Sequence, residues 1–218
     1  MSARQRDFTL YTYFRSSAAF RVRIALNLKG VKPRQEFVHL LRHEQASANY
    51  RALNPQQAVP TLVHDGRALG QSLAIIEYLD EIAPQPPLLP ADPFGRARVR
   101  QMALAIACEI HPLCNLRVRE YLRDALKLSE AEQGEWQKHW IGLGLQAVEE
   151  MAGAGRFCFG DKPTLADVCL IPQLFNARRA ELELSAYPRL LRIEQAAYEL
   201  AAFRDAVPKN QPDATPHP

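Results

Sequence analysis

The sequence predicts an α/β unit followed by an all-α unit, on three observations. Residues 1–84 alternate strand-like and helix-like periods in the order β-α-β, a short irregular helical stretch, then β-β-α. A proline-dense segment interrupts the chain at residues 85–95. Beyond it, over residues 96–218, every periodic stretch is helical, with a loosely docked tail expected from about residue 207. A chain of 218 residues is long enough to bury a core in each of two small units.

Each element has its own justification. FTLYTYF, residues 8–14, alternates and is rich in aromatic residues, which fits a strand. Ser16 or Ser17 then offers an N-cap oxygen. Val22, Ala25, Leu26 and Lys29 share one helical face, and Gly30 ends the helix. EFVHL, residues 36–40, reads as a second strand, parallel to the first across the helix. Thr61–His64 and Arg67–Leu69 flank Asp65-Gly66, the dipeptide best suited to a two-residue hairpin turn. Ser72 is expected to cap a helix carrying Ile75, Ile76, Leu79 and Ile82.

The segment APQPPLLPADPFG, residues 83–95, holds five of the chain's sixteen prolines, which neither a helix interior nor a central strand accepts. Past it, Val99, Met102, Ala103, Ile106 and Ile110 form a helical stripe interrupted at Pro112, where a kink is expected. Further helical patterns cover roughly residues 130–151, 164–180 and 187–204, which together call for a helical bundle. Thr164 and Asp167 stand in capping-box relation at the start of an apolar helix, a folding device.

Composition narrows the function classes. The formal net charge of +3 is too small to argue for nucleic acid. Most of the positive charge is arginine, which suits planar carboxylate partners better than lysine does. No apolar run approaches the ~18 residues a membrane helix needs, and MSARQRDF is unlike a secretory leader, so a cytoplasmic location is the default. Cys108, Cys114, Cys158 and Cys169 lack the spacing of a zinc site or a disulfide framework, and they read as isolated thiols with no metal.

A βαβ–ββα unit with X-Pro before its third strand, a linker and a helical second half is the pattern of a thioredoxin-like domain carrying a helical domain. It resembles the glutathione transferases. YFRSSAAFRVRIALNLKG, ALNPQQAVPTL, QSLAIIEYLDE, LLPADP, IHPLCNL and PTLADVCLIPQLFNARR resemble the zeta class, whose activities include maleylacetoacetate and maleylpyruvate isomerisation. The resemblance spans about residues 8–212, with the motifs in register.

What it implies can be set out by residue. Ser16 contacts the sulfur of glutathione, with Ser17 as its helper. Val59-Pro60 forms a cis peptide, and its backbone pairs with the extended tripeptide. Gln71 and Ser72 hold the γ-glutamyl end, and Gln45, His111 and Asn115 match further glutathione-contacting positions. Arg15 and Arg179 lie near the substrate, where a guanidinium can grip a carboxylate through two parallel hydrogen bonds. The alternative for either arginine is a surface cation or an ion pair, for instance with Glu181 or Glu183. Where the family motif reads S-S-C, this chain has Ala18, so the nucleophilic sulfur expected at the junction is the one glutathione brings.

The activity implied is glutathione-dependent cis–trans isomerisation of a maleyl keto acid by a homodimer, with glutathione regenerated. Two alternatives stand beside it: a transferase acting by displacement on haloacids or other electrophiles, and a non-catalytic binding module on the same fold.

Overall fold

The computed structural model describes residues 7–214. It divides into two units: one runs up to Pro86 and is joined by the chain from Leu200 onward, and the other is Pro87–Glu199.

In the first unit β1 (Phe8–Thr12) lies at the centre of a four-stranded sheet, ordered β2-β1-β3-β4. It pairs in parallel with β2 (Arg34–Phe37) and antiparallel with β3 (Thr61–His64), which pairs with β4 (Arg67–Gly70). The β3–β4 turn is Asp65-Gly66, both at positive φ (48° and 76°), as the favoured hairpin turn requires. The second strand ends earlier than the sequence indicates, at Phe37, because Leu40–Arg42 and Glu44–Ala46 wind into short 3-10 turns. Helix α1 (Ser17–Leu28) joins β1 to β2 and buries nine of its twelve residues, including Arg21 and Arg23. At its end Lys29 Nζ, fully buried, donates to Asp80 Oδ1 and to the Pro86 carbonyl, each at 2.5 Å. A short α2 (Ala48–Leu53) precedes the Val59-Pro60 bond, which is cis, as is Gln85-Pro86. Helix α3 (Ser72–Ile82) packs Ile75, Ile76 and Leu79 into the core. Ser72 is its first helical residue. The capping position is Gln71, so the expected Ser72 cap is displaced by one residue.

The second unit begins inside the proline-dense segment. Pro93 opens α4 (Pro93–Leu104) as a first-turn proline, whose missing N–H costs nothing there, and the Asp92 carboxylate caps the Gly95 amide at 2.6 Å. The stripe then passes through a π turn, Ala105–Ile110, and a 3-10 turn, His111–Cys114, which together take up the break expected at Pro112. Helices α5 (Leu116–Asp124), α6 (Glu130–Met151), α7 (Leu165–Arg179) and α8 (Pro188–Tyr198) complete the unit. Eleven of the fifteen residues of α7 are buried. Asp167 completes the box at its start: its carboxylate accepts from the Thr164 amide (2.7 Å), the Thr164 hydroxyl (2.8 Å) and the Cys158 amide (2.8 Å). Burial pushes its pKa up, and these hydrogen bonds oppose the rise.

Two expectations about the C-terminal stretch are corrected. The helix predicted over 187–204 breaks at Leu200, which is extended, and a short α9 (Ala201–Arg204) follows. The described part of the expected loose tail is docked on the first unit. Pro208 and Gln211 are buried, Gln211 Nε2 donates to the Asp205 and Val207 carbonyls (2.8 and 3.0 Å), and Asp213 Oδ2 accepts from the Phe14 amide at 2.8 Å. Side chains satisfy the backbone here without hydrophobic periodicity, so a periodicity reading passes over the segment.

Candidate functional site

The register of the sheet gathers the predicted segments of the first unit. Tyr11 pairs with Thr61, Thr61 with Gly70, and Thr12 with Phe37. The turn after β1 with Arg15 and Ser16, the Val59-Pro60 entry to β3, the Gln71-Ser72 exit from β4 and the turns after β2 with Gln45 therefore all lie at one end of the sheet. This is the carboxyl end of the parallel pair, where open α/β sheets place their ligands.

At that end α1 opens on Ser16, whose extended backbone (φ −72°, ψ 119°) and side chain make it the N-cap. Its Oγ accepts from the Ala19 amide at 3.2 Å, and its carbonyl accepts from the Phe20 amide at 2.8 Å. A hydroxyl that accepts still has its hydrogen to donate. The Ser17 and Ala18 amides precede the first intrahelical bond, so the positive end of the helix keeps two donors. Ser17 itself is buried, while Arg15 is half-buried and has no ion-pair partner among the described residues.

Helix α3 offers a second such terminus. Gln71 occupies a left-handed conformation (φ 67°, ψ 115°) that non-glycine residues rarely adopt, and no side chain caps the helix. The first intrahelical bond is Ile75 N–H to the Gln71 carbonyl, which leaves the Ser72, Leu73 and Ala74 amides as donors. Buried Arg21 donates from Nη1 to Ser72 Oγ at 3.3 Å, tying the start of α3 to α1. Gln71 Nε2 donates to Gln56 Oε1 at 2.8 Å. Gln45 Oε1 is buried without a partner.

The remaining predicted residues belong to the second unit. His111 begins the 3-10 turn after the π turn and is half-buried. Asn115 is the N-cap of α5, with Oδ1 accepting from the Val118 amide at 3.1 Å. Arg179 is exposed at the last position of α7. The neighbouring Arg178 makes a two-pronged ion pair with Glu194 at 2.6 and 2.5 Å, and Glu183 accepts from the Ser185 amide. Burial raises the Cys114 pKa to about 11, so this thiol stays protonated at neutral pH.

Arg21, Arg23 and Asp213 are the residues that sequence reasoning missed. The available sign was two arginines inside an otherwise apolar helix run, F-R-V-R-I, where a buried guanidinium must find carbonyl or carboxylate partners.

A four-stranded sheet of this order with a cis-proline at its third strand and an open helix end after its first, followed by a helical unit, defines the glutathione S-transferase class. Family models agree: residues 10–87 match the glutathione S-transferase N-terminal domain and residues 117–206 the C-terminal domain. The maleylacetoacetate isomerase of Pseudomonas aeruginosa is 49% identical, over 94% of this chain and 97% of its own length. A holo structure of a maleylpyruvate isomerase, described as a bacterial zeta-class glutathione S-transferase, superposes with a TM-score of 0.93 at 46% identity, covering 95% of this chain and 100% of that one. The maleylacetoacetate isomerase of Anaeromyxobacter dehalogenans, with dicarboxyethyl glutathione and citrate bound in its active site, gives a TM-score of 0.87 at 45% identity, covering 97% and 99%. The chain belongs to the zeta-class glutathione S-transferases, the family of the maleylacetoacetate and maleylpyruvate isomerases.

Proposed function

We propose that the chain catalyses glutathione-dependent cis–trans isomerisation of a maleyl keto acid, maleylacetoacetate or maleylpyruvate, to its fumaryl isomer. The observation that carries the reading is Ser16: its hydroxyl caps α1 as an acceptor and keeps its hydrogen for a sulfur at the helix's positive end. The relatives named as isomerases, and the glutathione conjugate bound in one of them, support it.

The residues present fit glutathione. The uncapped start of α3 offers Ser72, Leu73 and Ala74 amides to the γ-glutamyl carboxylate. The orphaned Gln45 Oε1 is an acceptor for an N–H of a peptide-like ligand, and Val59 offers backbone groups to an extended one. When bound, glutathione supplies a thiolate that adds reversibly to the conjugated double bond and leaves unchanged. Ser16 Oγ donates its hydrogen to that sulfur, and the Ser17 and Ala18 amides with the α1 dipole favour the negative charge. Ser17, buried beside Ser16, is its helper at the sulfur. Arg15 and Arg179 orient the substrate by its carboxylates, while His111 and Asn115 take part in holding glutathione. A homodimer in the cytoplasm completes the reading. Among the described residues, no helix is long and apolar enough to cross a membrane.

The test is stoichiometry. Purified protein with glutathione should convert maleylacetoacetate or maleylpyruvate to the fumaryl isomer while total free glutathione stays constant. Turnover that consumes glutathione would point to displacement instead, and no glutathione-dependent turnover of either acid ends the isomerase reading.

A further inference from the structure

The C-terminal segment reaches back to the turn that carries Ser16. Phe14 stands two residues before that serine, and charged side chains hold both of its backbone polar groups. Asp213 Oδ2 accepts from its amide at 2.8 Å, and Arg23 Nη2 donates to its carbonyl at 3.1 Å. Arg23 also donates from Nη1 to the Tyr13 carbonyl (3.4 Å) and Thr12 Oγ1 (3.3 Å), and from Nε to the Ala206 carbonyl (3.1 Å). The Ser16 amide closes the turn onto the Tyr13 carbonyl at 3.0 Å. Ala214 packs against a cluster of Tyr13, Phe14, Val38, Tyr50 and Val59, which includes residues of the serine turn and the residue before Pro60.

We propose that Asp213, together with Arg23, is a positioning residue for the Arg15-Ser16 junction, fixing through the Phe14 peptide groups the direction in which the Ser16 hydroxyl points. The proposal rests on the reading of Ser16 given above.

Asp213 Oδ1 is buried without a partner, Oδ2 holds the Phe14 amide, and the charge of the carboxylate acts on Arg23. Burial pulls the Arg23 pKa down to about 9, and the Asp213 charge opposes that, so the carboxylate makes burial of the guanidinium more tolerable. The segment lies past residue 206, where the match to the C-terminal family model ends. A hydroxyl that must meet a sulfur within hydrogen-bond reach loses effect with small displacements, on the order of a hundredfold for 1 Å at a reacting centre.

The experiment uses the full chain with Asp213→Ala, Asp213→Asn, Arg23→Lys and Ser16→Ala. Three readouts are taken: the ultraviolet pH titration of the bound glutathione thiol, the division of any loss between kcat and KM, and hydrogen exchange at the Phe14 amide without ligand. Asp213→Ala should speed Phe14 exchange, raise the bound thiol pKa by about half to one, and lower kcat about tenfold with a smaller change in the KM for glutathione. Asp213→Asn, which keeps an oxygen for the Phe14 amide, should restore most of this. Arg23→Lys, which keeps the charge but not the fork, should move the titration in the same direction if Asp213→Ala proves unable to fold. A titration moved by Ser16→Ala but by neither Asp213→Ala nor Arg23→Lys overturns the positioning role and leaves the Ser16 reading standing. A titration that even Ser16→Ala leaves unmoved overturns that reading, and the positioning role with it.

Discussion

Ser16 Oγ accepts the Ala19 amide proton at 3.2 Å, so the cap uses one lone pair of the hydroxyl and none of its donor capacity. Capping and thiolate stabilisation are therefore compatible in one side chain.

Ser16→Ala should remove both functions, with separable signatures. Loss of the cap costs about 1 kcal/mol of stability. Loss of the donor should raise the pKa of the bound glutathione thiol by about one to two and lower kcat/KM by roughly a hundredfold. Ser16→Asp keeps a good cap but places a negative charge at the sulfur. It should retain stability and still lose activity, which thermal melts beside the thiol titration would show. Equal activity in the wild-type protein and both variants would remove Ser16 from the chemistry.

The two arginines at the end of α7 should behave differently. Arg178 is tied to Glu194, whose side chain is only 9% exposed, so Arg178→Ala strands a nearly buried carboxylate and should cost about 1–3 kcal/mol in a urea melt. Arg179→Ala should leave stability within about half a kcal/mol and reduce turnover of a maleyl keto acid about tenfold, with far less effect on an uncharged aromatic electrophile. Equal losses on both substrates would make Arg179 a structural residue.

The hairpin, a serine cap at Ser16 or Ser17 and the Thr164-Asp167 box were legible because each rests on local chemistry within a few residues. The capping position of α3 was misplaced by one residue because Gln71 adopts a left-handed backbone that its side chain gives no reason to expect. The break between α8 and α9 and the docking of Asp213 depend on partners far along the chain. Phe14 and Asp213 are 199 residues apart, and no periodicity records such a contact. Within the site, a helix start at Ser16 or Ser17 could be read from sequence alone, whereas the pairing of Arg178 with Glu194 depended on where α8 places that carboxylate.

Asp167 is fully buried and its carboxylate satisfies three donors, two of them backbone amides. Asp167→Ala would leave the Cys158 and Thr164 amides unpaired inside the second unit, at a cost of about 2–4 kcal/mol. Burial raises the folded-state pKa above the unfolded value, so the folded chain binds this proton more readily. Asp167's contribution is thus most favourable at low pH and diminishes as pH rises through the raised folded pKa. Urea melts across that window should show the wild-type protein losing more stability with rising pH than Asp167→Asn, which has no such proton to lose. Parallel pH profiles for the two proteins would contradict this.

Gly144 makes room for the π turn that precedes His111. A Cβ at that position of α6 would stand 2.2 Å from Ile110 Cγ1 and 2.4 Å from its Cδ1, closer than packed carbons approach. Ile110 is 2% exposed, and His111 follows it directly. Gly144→Ala should therefore cost about 1–3 kcal/mol through overpacking, although alanine is the better helix former. If the π turn shifts to relieve the clash, His111 moves with it, and on the role proposed for His111 the KM for glutathione should rise while the pKa of the bound thiol stays put. Trimming the obstacle gives the check: Gly144→Ala combined with Ile110→Ala should be less destabilised than the sum of the two single variants, by about 1 kcal/mol or more in a double-mutant cycle. Strict additivity would mean that the helix absorbs the methyl group by itself and that Gly144 does not set the position of the turn.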